Sequence, residues 1–163
     1  MSSINDDIKK IVSESSNLIL TCNSISDKIE LAVNEIVECL TKKNKIVIFG
    51  NGGSAADAQH IAAELIGRFQ KERESLPAIS LTTDTSIITS LANDYSFDVV
   101  FSRQCESLVS KGDVVLGIST SGNSKNVENG IISSKKKGAI TISLLGGDGG
   151  TIKKISDISI IVP

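Results

Sequence analysis

The sequence predicts a doubly wound α/β domain: a mostly parallel five-stranded sheet covered by helices on both faces, with two further helices in front. Three observations predict it. Apolar residues recur at helical spacing through residues 4–40. Short β-branched runs then alternate with helical segments, the pattern of right-handed βαβ units. The first of those runs, IVIFG at 46–50, is continuously apolar, as a strand buried on both sides must be. At 163 residues the chain suits one domain with a real core, 1–163, divided into N-terminal helices (1–43) and an α/β core (44–163).

The elements follow in order. Ile4, Ile8, Ile11, Val12, Leu18 and Ile19 lay an apolar stripe along a first helix over 4–22. After Ser26 and Asp27, residues Ile29, Val33, Ile36, Val37 and Leu40 do the same for a second. This is more apolar stripe than a small sheet needs, and it predicts helix packing between subunits. Strands are predicted at IVIFG, AISL (78–81), DVVLGIS (113–119), AITISLL (139–145) and DISIIVP (157–163). Helical segments are predicted between them near 54–67, 85–92, 98–110, 124–137 and 150–155.

Bulk properties exclude several function classes. A net charge of −2 argues against a nucleic-acid surface, which is usually basic. The basic run Lys135, Lys136 and Lys137 closes a predicted helix, where cations suit the dipole. Cys22, Cys39 and Cys105 are odd in number and lack CxxC spacing, against a disulfide framework or a cysteine-rich zinc site. MSSINDDIKKIV has no apolar run of signal-peptide kind, and no stretch is long and apolar enough to cross a membrane. The expectation is a cytoplasmic protein with no nucleic-acid or membrane partner.

Two turns carry the chemistry, both at the carboxyl ends of predicted strands, where open α/β sheets bind ligands. Gly50-Asn51-Gly52-Gly53-Ser54 joins the first strand to a helix, and its glycines let a ligand approach the backbone. GNGGSA fits the dinucleotide pattern loosely, but the second strand ends Ser80-Leu81-Thr82-Thr83 without the acidic residue that would hold a ribose. It is not a P-loop, having no Gly-Lys-Ser/Thr. The second turn is Ser119-Thr120-Ser121-Gly122-Asn123-Ser124. One serine would cap the helix that follows; three serines and a threonine exceed that need and suit a phosphate monoester. Between the turns stand His60, the only histidine, and Glu64. A four-residue gap puts both on one helical face, as a metal-binding pair, a proton-transfer pair or a solvated ion pair. Zinc normally takes three or four ligands, so the pair alone leaves these readings open.

GNGGSAADAQHIAAELIGRF, SLANDYSFDVVFSRQ and GISTSGNS together resemble the sugar isomerase (SIS) domain family, with its flavodoxin-like sandwich, and within it the phosphoheptose isomerases. The similarity runs along nearly the whole chain. It implies an aldose–ketose isomerase that converts sedoheptulose 7-phosphate to D-glycero-D-manno-heptose 7-phosphate for bacterial heptose biosynthesis. By position it implies that Asn51, Gly52 and Gly53 line the sugar site and that Asn93 and Asp94 hold sugar hydroxyls. Ser119, Thr120, Ser121 and Ser124 would hold the phosphate. His60 and Glu64 would bind one zinc ion per subunit, and both are the candidate catalytic residues, with Glu64 the base. The family is usually a homotetramer with its sites at subunit interfaces. Its members continue past the last strand into a helix with an Arg-Ile-Gln-Glu-type motif and a second histidine, which complete the metal site. This sequence stops at Pro163, and the expectation is a fragment of a longer protein. The alternative is a non-catalytic relative that binds phosphosugars or another protein, such as a replication initiator; retention of Glu64 argues for the enzyme. Arg68, Arg103, Asp57, Asp84 and Cys105 receive ordinary structural roles.

Overall fold

A computed structural model describes residues 3–162. The elements are α1 (Ile4–Thr21), α2 (Ser26–Thr41), β1 (Ile46–Gly50), α3 (Gly53–Ile66), β2 (Ala78–Ser80), α4 (Thr85–Asp94), α5 (Val100–Leu108), β3 (Val114–Ser119), α6 (Lys125–Lys136), β4 (Ile140–Gly146) and β5 (Ile158–Val162). The strands form one sheet in the order β2-β1-β3-β4-β5, and every pairing is parallel. The expected α/β class holds, and "mostly parallel" becomes wholly parallel among the described residues.

Alternation along β1 divides the core in two. Val47 and Phe49 face one side with Phe101 and Cys105 of α5 and Val127 and Ile131 of α6. Ile46 and Ile48 face the other, against Ala32 and Cys39 of α2 and Ala58 and Ala62 of α3. Successive strand residues point to opposite faces, so a strand covered on both sides shows no polar alternation. Phe49 stacks on Phe101 with ring centroids 4.9 Å apart. Gly130 of α6 lies over that ring, where a Cβ would come within 2.7 Å of Phe49 Cζ.

Near the start of the strands, two carboxylates tie neighbouring segments together. Asp113, buried, accepts from Lys45 Nζ at 2.6 Å, from the Lys45 amide at 3.1 Å and from the Ser110 amide at 2.8 Å. Asp157 accepts from the Thr141 amide and hydroxyl at 2.9 and 2.7 Å and pairs with Lys135 at 2.6 Å. Burial pushes the Asp157 carboxyl up, but its bonds from Lys135 and Thr141 outweigh that and hold it below the usual carboxylate range. Burial drives the Cys105 thiol up to about 11, with the Glu106 charge adding to it and a bond with Ser134 opposing it, in keeping with a small core residue.

The structure departs from the expected boundaries at a few places. The segment expected to be helical at 150–155 is a single 3-10 turn, Ile152–Lys154. Gly149 and Gly150 precede it with φ of +80° and +53°, which no helix continues through. The helix expected at 98–110 divides into a 3-10 turn, Phe97–Val99, and α5. Pro163, the end of the last expected strand, lies outside the described residues. Helix α1 begins with a capping box in which Ser3 and Asp6 each accept from the other's amide at 3.2 Å. It buries none of its residues.

Candidate active site

Strand β1 passes to β2 on one side and its other neighbour is β3, so the order of the sheet reverses between β1 and β3. That switch point is where open α/β sheets leave a crevice. The glycine turn follows β1 there and the serine turn follows β3, with Gly50 in register with Ile118. Glycine is required at Gly50 because a Cβ would stand 2.9 Å from the Ile118 carbonyl oxygen. Gly52 has φ +57°, and a Cβ at Gly52 or Gly53 would meet no atom within 4 Å: open space stands before both. Beside the turn a cleft of about 120 Å³ is lined by Asn51, Gly52, Ala55, Thr82, Ile88 and Phe97, among others.

The two turns are bolted to each other. Asn51 Nδ2 donates to Asn126 Oδ1 at 2.8 Å, and Asn126 Nδ2 donates back to Asn51 Oδ1 at 2.9 Å. Asn126 Oδ1 also accepts the Val127 amide at 2.9 Å, in the first turn of α6. Ser124 stands at the N-cap of α6, yet its side chain makes no capping bond; it accepts from the buried Ser119 hydroxyl at 3.1 Å instead. Thr120 and Ser121 are exposed, and Ser121 Oγ accepts the Asn123 amide at 3.2 Å. Three of the four hydroxyl positions therefore do something other than cap the helix, and Thr120 Oγ1 has no partner among the described residues.

A third loop supports the serine turn from behind. Gly122 has φ +66°, and a Cβ there would fall 2.2 Å from the Gly149 carbonyl oxygen. The Gly122 carbonyl accepts the Ile152 amide at 3.0 Å, and Asn123 Oδ1 accepts the Thr151 amide at 3.0 Å. Chain after β4 and chain after β3 thus touch backbone to backbone, an approach that only glycines permit.

His60 and Glu64 stand further along α3. At 1.5 Å per residue, the Cα of Glu64 lies about 16 Å along the axis from that of Gly53, and its side chain tilts back toward the turn. His60 Nε2 is 3.7 Å from Glu64 Oε1; the histidine is 73% exposed and the glutamate 32%. Asn93 and Asp94 close α4, where Asn93 Nδ2 donates to Asp94 Oδ1 at 2.9 Å. Both are exposed, and neither side chain bonds to the glycine or serine turn. A larger groove of about 310 Å³, lined by Ile87, Leu91 and Arg103 among others, carries none of these residues.

The SIS domain model matches residues 12–146. This chain belongs to the SIS domain family. A phosphoheptose isomerase of Nitratiruptor sp. is 60% identical over 127 residues, 78% of this chain and 68% of that protein. One from Sulfurimonas denitrificans is 50% identical over 157 residues, 96% and 77% of the two chains. The structure of phosphoheptose isomerase from Neisseria gonorrhoeae matches with a TM-score of 0.93 at 39% identity, covering 99% of this chain and 86% of that one. With relatives at this identity over most of its length, this SIS domain is an isomerase.

Within the SIS domain, imidazole and carboxylate suit zinc in kind but fall short in number. No group of three or more histidine, cysteine, aspartate or glutamate side chains placed for a metal occurs among the described residues. Three structural participants were not singled out by the sequence reading, and two of them carried no functional signal. Asn126 reads as an ordinary helix residue until its partner 75 residues away is known. Gly146 to Gly150, GGDGG after a predicted strand, did offer a signal, in glycine density at a carboxyl end. Thr82, whose hydroxyl bonds to Ser80 Oγ at 2.7 Å and accepts from Gln59 Nε2 at 3.2 Å, reads only as a turn residue.

Proposed function

We propose that this chain is the catalytic subunit of a phosphoheptose isomerase, converting sedoheptulose 7-phosphate to D-glycero-D-manno-heptose 7-phosphate in heptose biosynthesis. The observation that carries the reading is the pairing of the glycine and serine turns at one switch point, locked by Asn51 and Asn126, with Glu64 further along the helix that leaves the first turn. The names of its relatives support the substrate.

In this reading Ser119, Thr120, Ser121 and Ser124 hold the phosphate with the amino end of α6, whose dipole favours an anion. Asn51, Gly52 and Gly53 line the sugar, and Asn93 and Asp94 hold its hydroxyls. The phosphate sits on C7 and the reaction occurs at C1 and C2, the other end of the molecule, which suits a base set away from the phosphate turn. Glu64 removes a proton from C1 of the ketose, forming the 1,2-enediolate, and returns a proton to C2. A second proton moves from the C1 oxygen to the C2 oxygen, giving the aldose. His60 is the second member of the pair. Together they are this chain's contribution to a divalent-metal site, zinc in our reading, and such a site needs at least one further protein ligand.

The reading includes self-association as a homotetramer. Ile4, Ile8 and Ile11 are exposed on α1, and a helix in a protein draws most of its stability from packing its apolar face. Three free cysteines, two of them buried, suit a reducing compartment and so a cytoplasmic setting. Steady-state turnover of sedoheptulose 7-phosphate tests the proposal. Glu64→Gln should lower kcat by about 10²-fold to 10⁴-fold, the range for loss of a general base. Phosphosugar binding without turnover, persisting with zinc supplied and the C-terminal helix implied by the resemblance joined to the chain, would replace the isomerase with a binding module.

A further inference from the structure

The loop leaving α3 folds back on the helix turn that carries Glu64, and one side chain makes most of the bonds. Arg73 Nη2 donates to the Glu64 carbonyl at 2.7 Å. Its Nη1 donates to the carbonyls of Leu65 at 2.8 Å, Glu74 at 2.9 Å and Gly67 at 3.3 Å. The end of a helix leaves its last carbonyls without partners. In α3 the Ala63 carbonyl keeps the Gly67 amide at 2.8 Å, after which the chain turns away, with ψ −119° at Gly67. The Glu64 and Leu65 carbonyls fall in that unpaired set and are the two that Arg73 takes up; the Leu76 amide adds a bond to Leu65 at 3.1 Å.

We propose that Arg73 is a positioning residue: its guanidinium holds the last turn of α3, and through that turn the Glu64 carboxylate, in the place from which the proton is taken. The inference rests on Glu64 being the base. Helix ends fray, and a catalytic group must be held within about 0.5 Å of its productive place. Arginine suits the task because its planar fork reaches several acceptors at once, whereas lysine offers a point charge. Arg73→Lys therefore separates two effects. It keeps the cation beside the helix terminus, which the dipole favours, and removes the fork.

The test measures kcat, KM, thermal unfolding and amide hydrogen exchange in wild type, Arg73→Lys, Arg73→Gln, Glu64→Gln and the Arg73→Lys/Glu64→Gln double variant. The expected result is a folded Arg73→Lys protein with kcat lower by about 10-fold to 100-fold, the scale of a misplacement of about 1 Å. KM should stay within about twofold, as for an interaction felt mainly in the transition state. The Gly67 amide should exchange faster, and Arg73→Lys should cost nothing further in the Glu64→Gln background. Unchanged kcat and exchange, or losses that multiply in the double variant, would overturn the proposal. So would failure of both Arg73 variants to fold, since the residue would then be a general determinant of stability. An inactive wild type would remove the isomerase assignment instead; the Gly67 exchange, read without substrate, would then decide the clamp by itself.

Discussion

Asn126 is 3% exposed, and its side-chain oxygen accepts from both Asn51 and the Val127 amide. Its reciprocal amide pair makes the shape of the glycine turn depend on the serine turn. Asn126→Ala leaves the Asn51 amide without its partner. Urea denaturation should show a loss of about 1–3 kcal/mol, the cost of stranding a largely buried polar group. KM for the phosphosugar should rise while kcat changes little. An unchanged KM would mean that the pair serves stability alone. At this scale the sequence was informative about chemistry and silent about partnership. Four hydroxyls in six residues exceed the needs of a cap, so the serine turn was legible as a candidate site. Asn126 and Arg73 were not, because their roles exist only once distant or looped-back chain is brought beside them.

Elements were legible where burial is two-sided or helical periodicity is long. IVIFG announced β1 because a strand packed on both faces needs apolar residues without interruption. The short segment at 150–155 was not legible as a single 3-10 turn, because its apolar pattern says nothing of the positive φ at Gly149 and Gly150. Those angles serve the contact between the loop after β4 and the serine turn. Gly122→Ala tests that contact. A Cβ would fall 2.2 Å from the Gly149 carbonyl oxygen, and the left-handed backbone would cost about 1–2 kcal/mol on its own. With overpacking added, a loss of at least about 2 kcal/mol is expected. In a protein of this size that lowers Tm by about 4–8 °C. Phosphosugar binding should weaken as well. A variant with wild-type Tm and affinity would show that the loop adapts and that the close approach is incidental.

For the whole molecule, parallel strands place both turns at one edge of the sheet, and the order β2-β1-β3-β4-β5 sets them side by side at the switch point. The proposed metal site is less complete: His60 and Glu64 would be two donors where zinc takes three or more, and no group of three stands among the described residues. Helix α1 is unsatisfied in another way, with no residue buried. If its apolar stripe packs against other copies, Ile8→Glu with Ile11→Glu should dissociate the assembly in sedimentation equilibrium, leaving a folded α/β core. An assembly of unchanged mass would place the subunit contacts elsewhere. The most direct test of the central claim is proton nuclear magnetic resonance of sedoheptulose 7-phosphate incubated with the chain in deuterium oxide, alongside Glu64→Gln. The account predicts the aldose phosphate with solvent deuterium at C2 from the wild type, and product loss in the variant. Binding of the ketose phosphate with no aldose formed even with zinc and the C-terminal helix supplied, or aldose formed equally fast without Glu64, would contradict it.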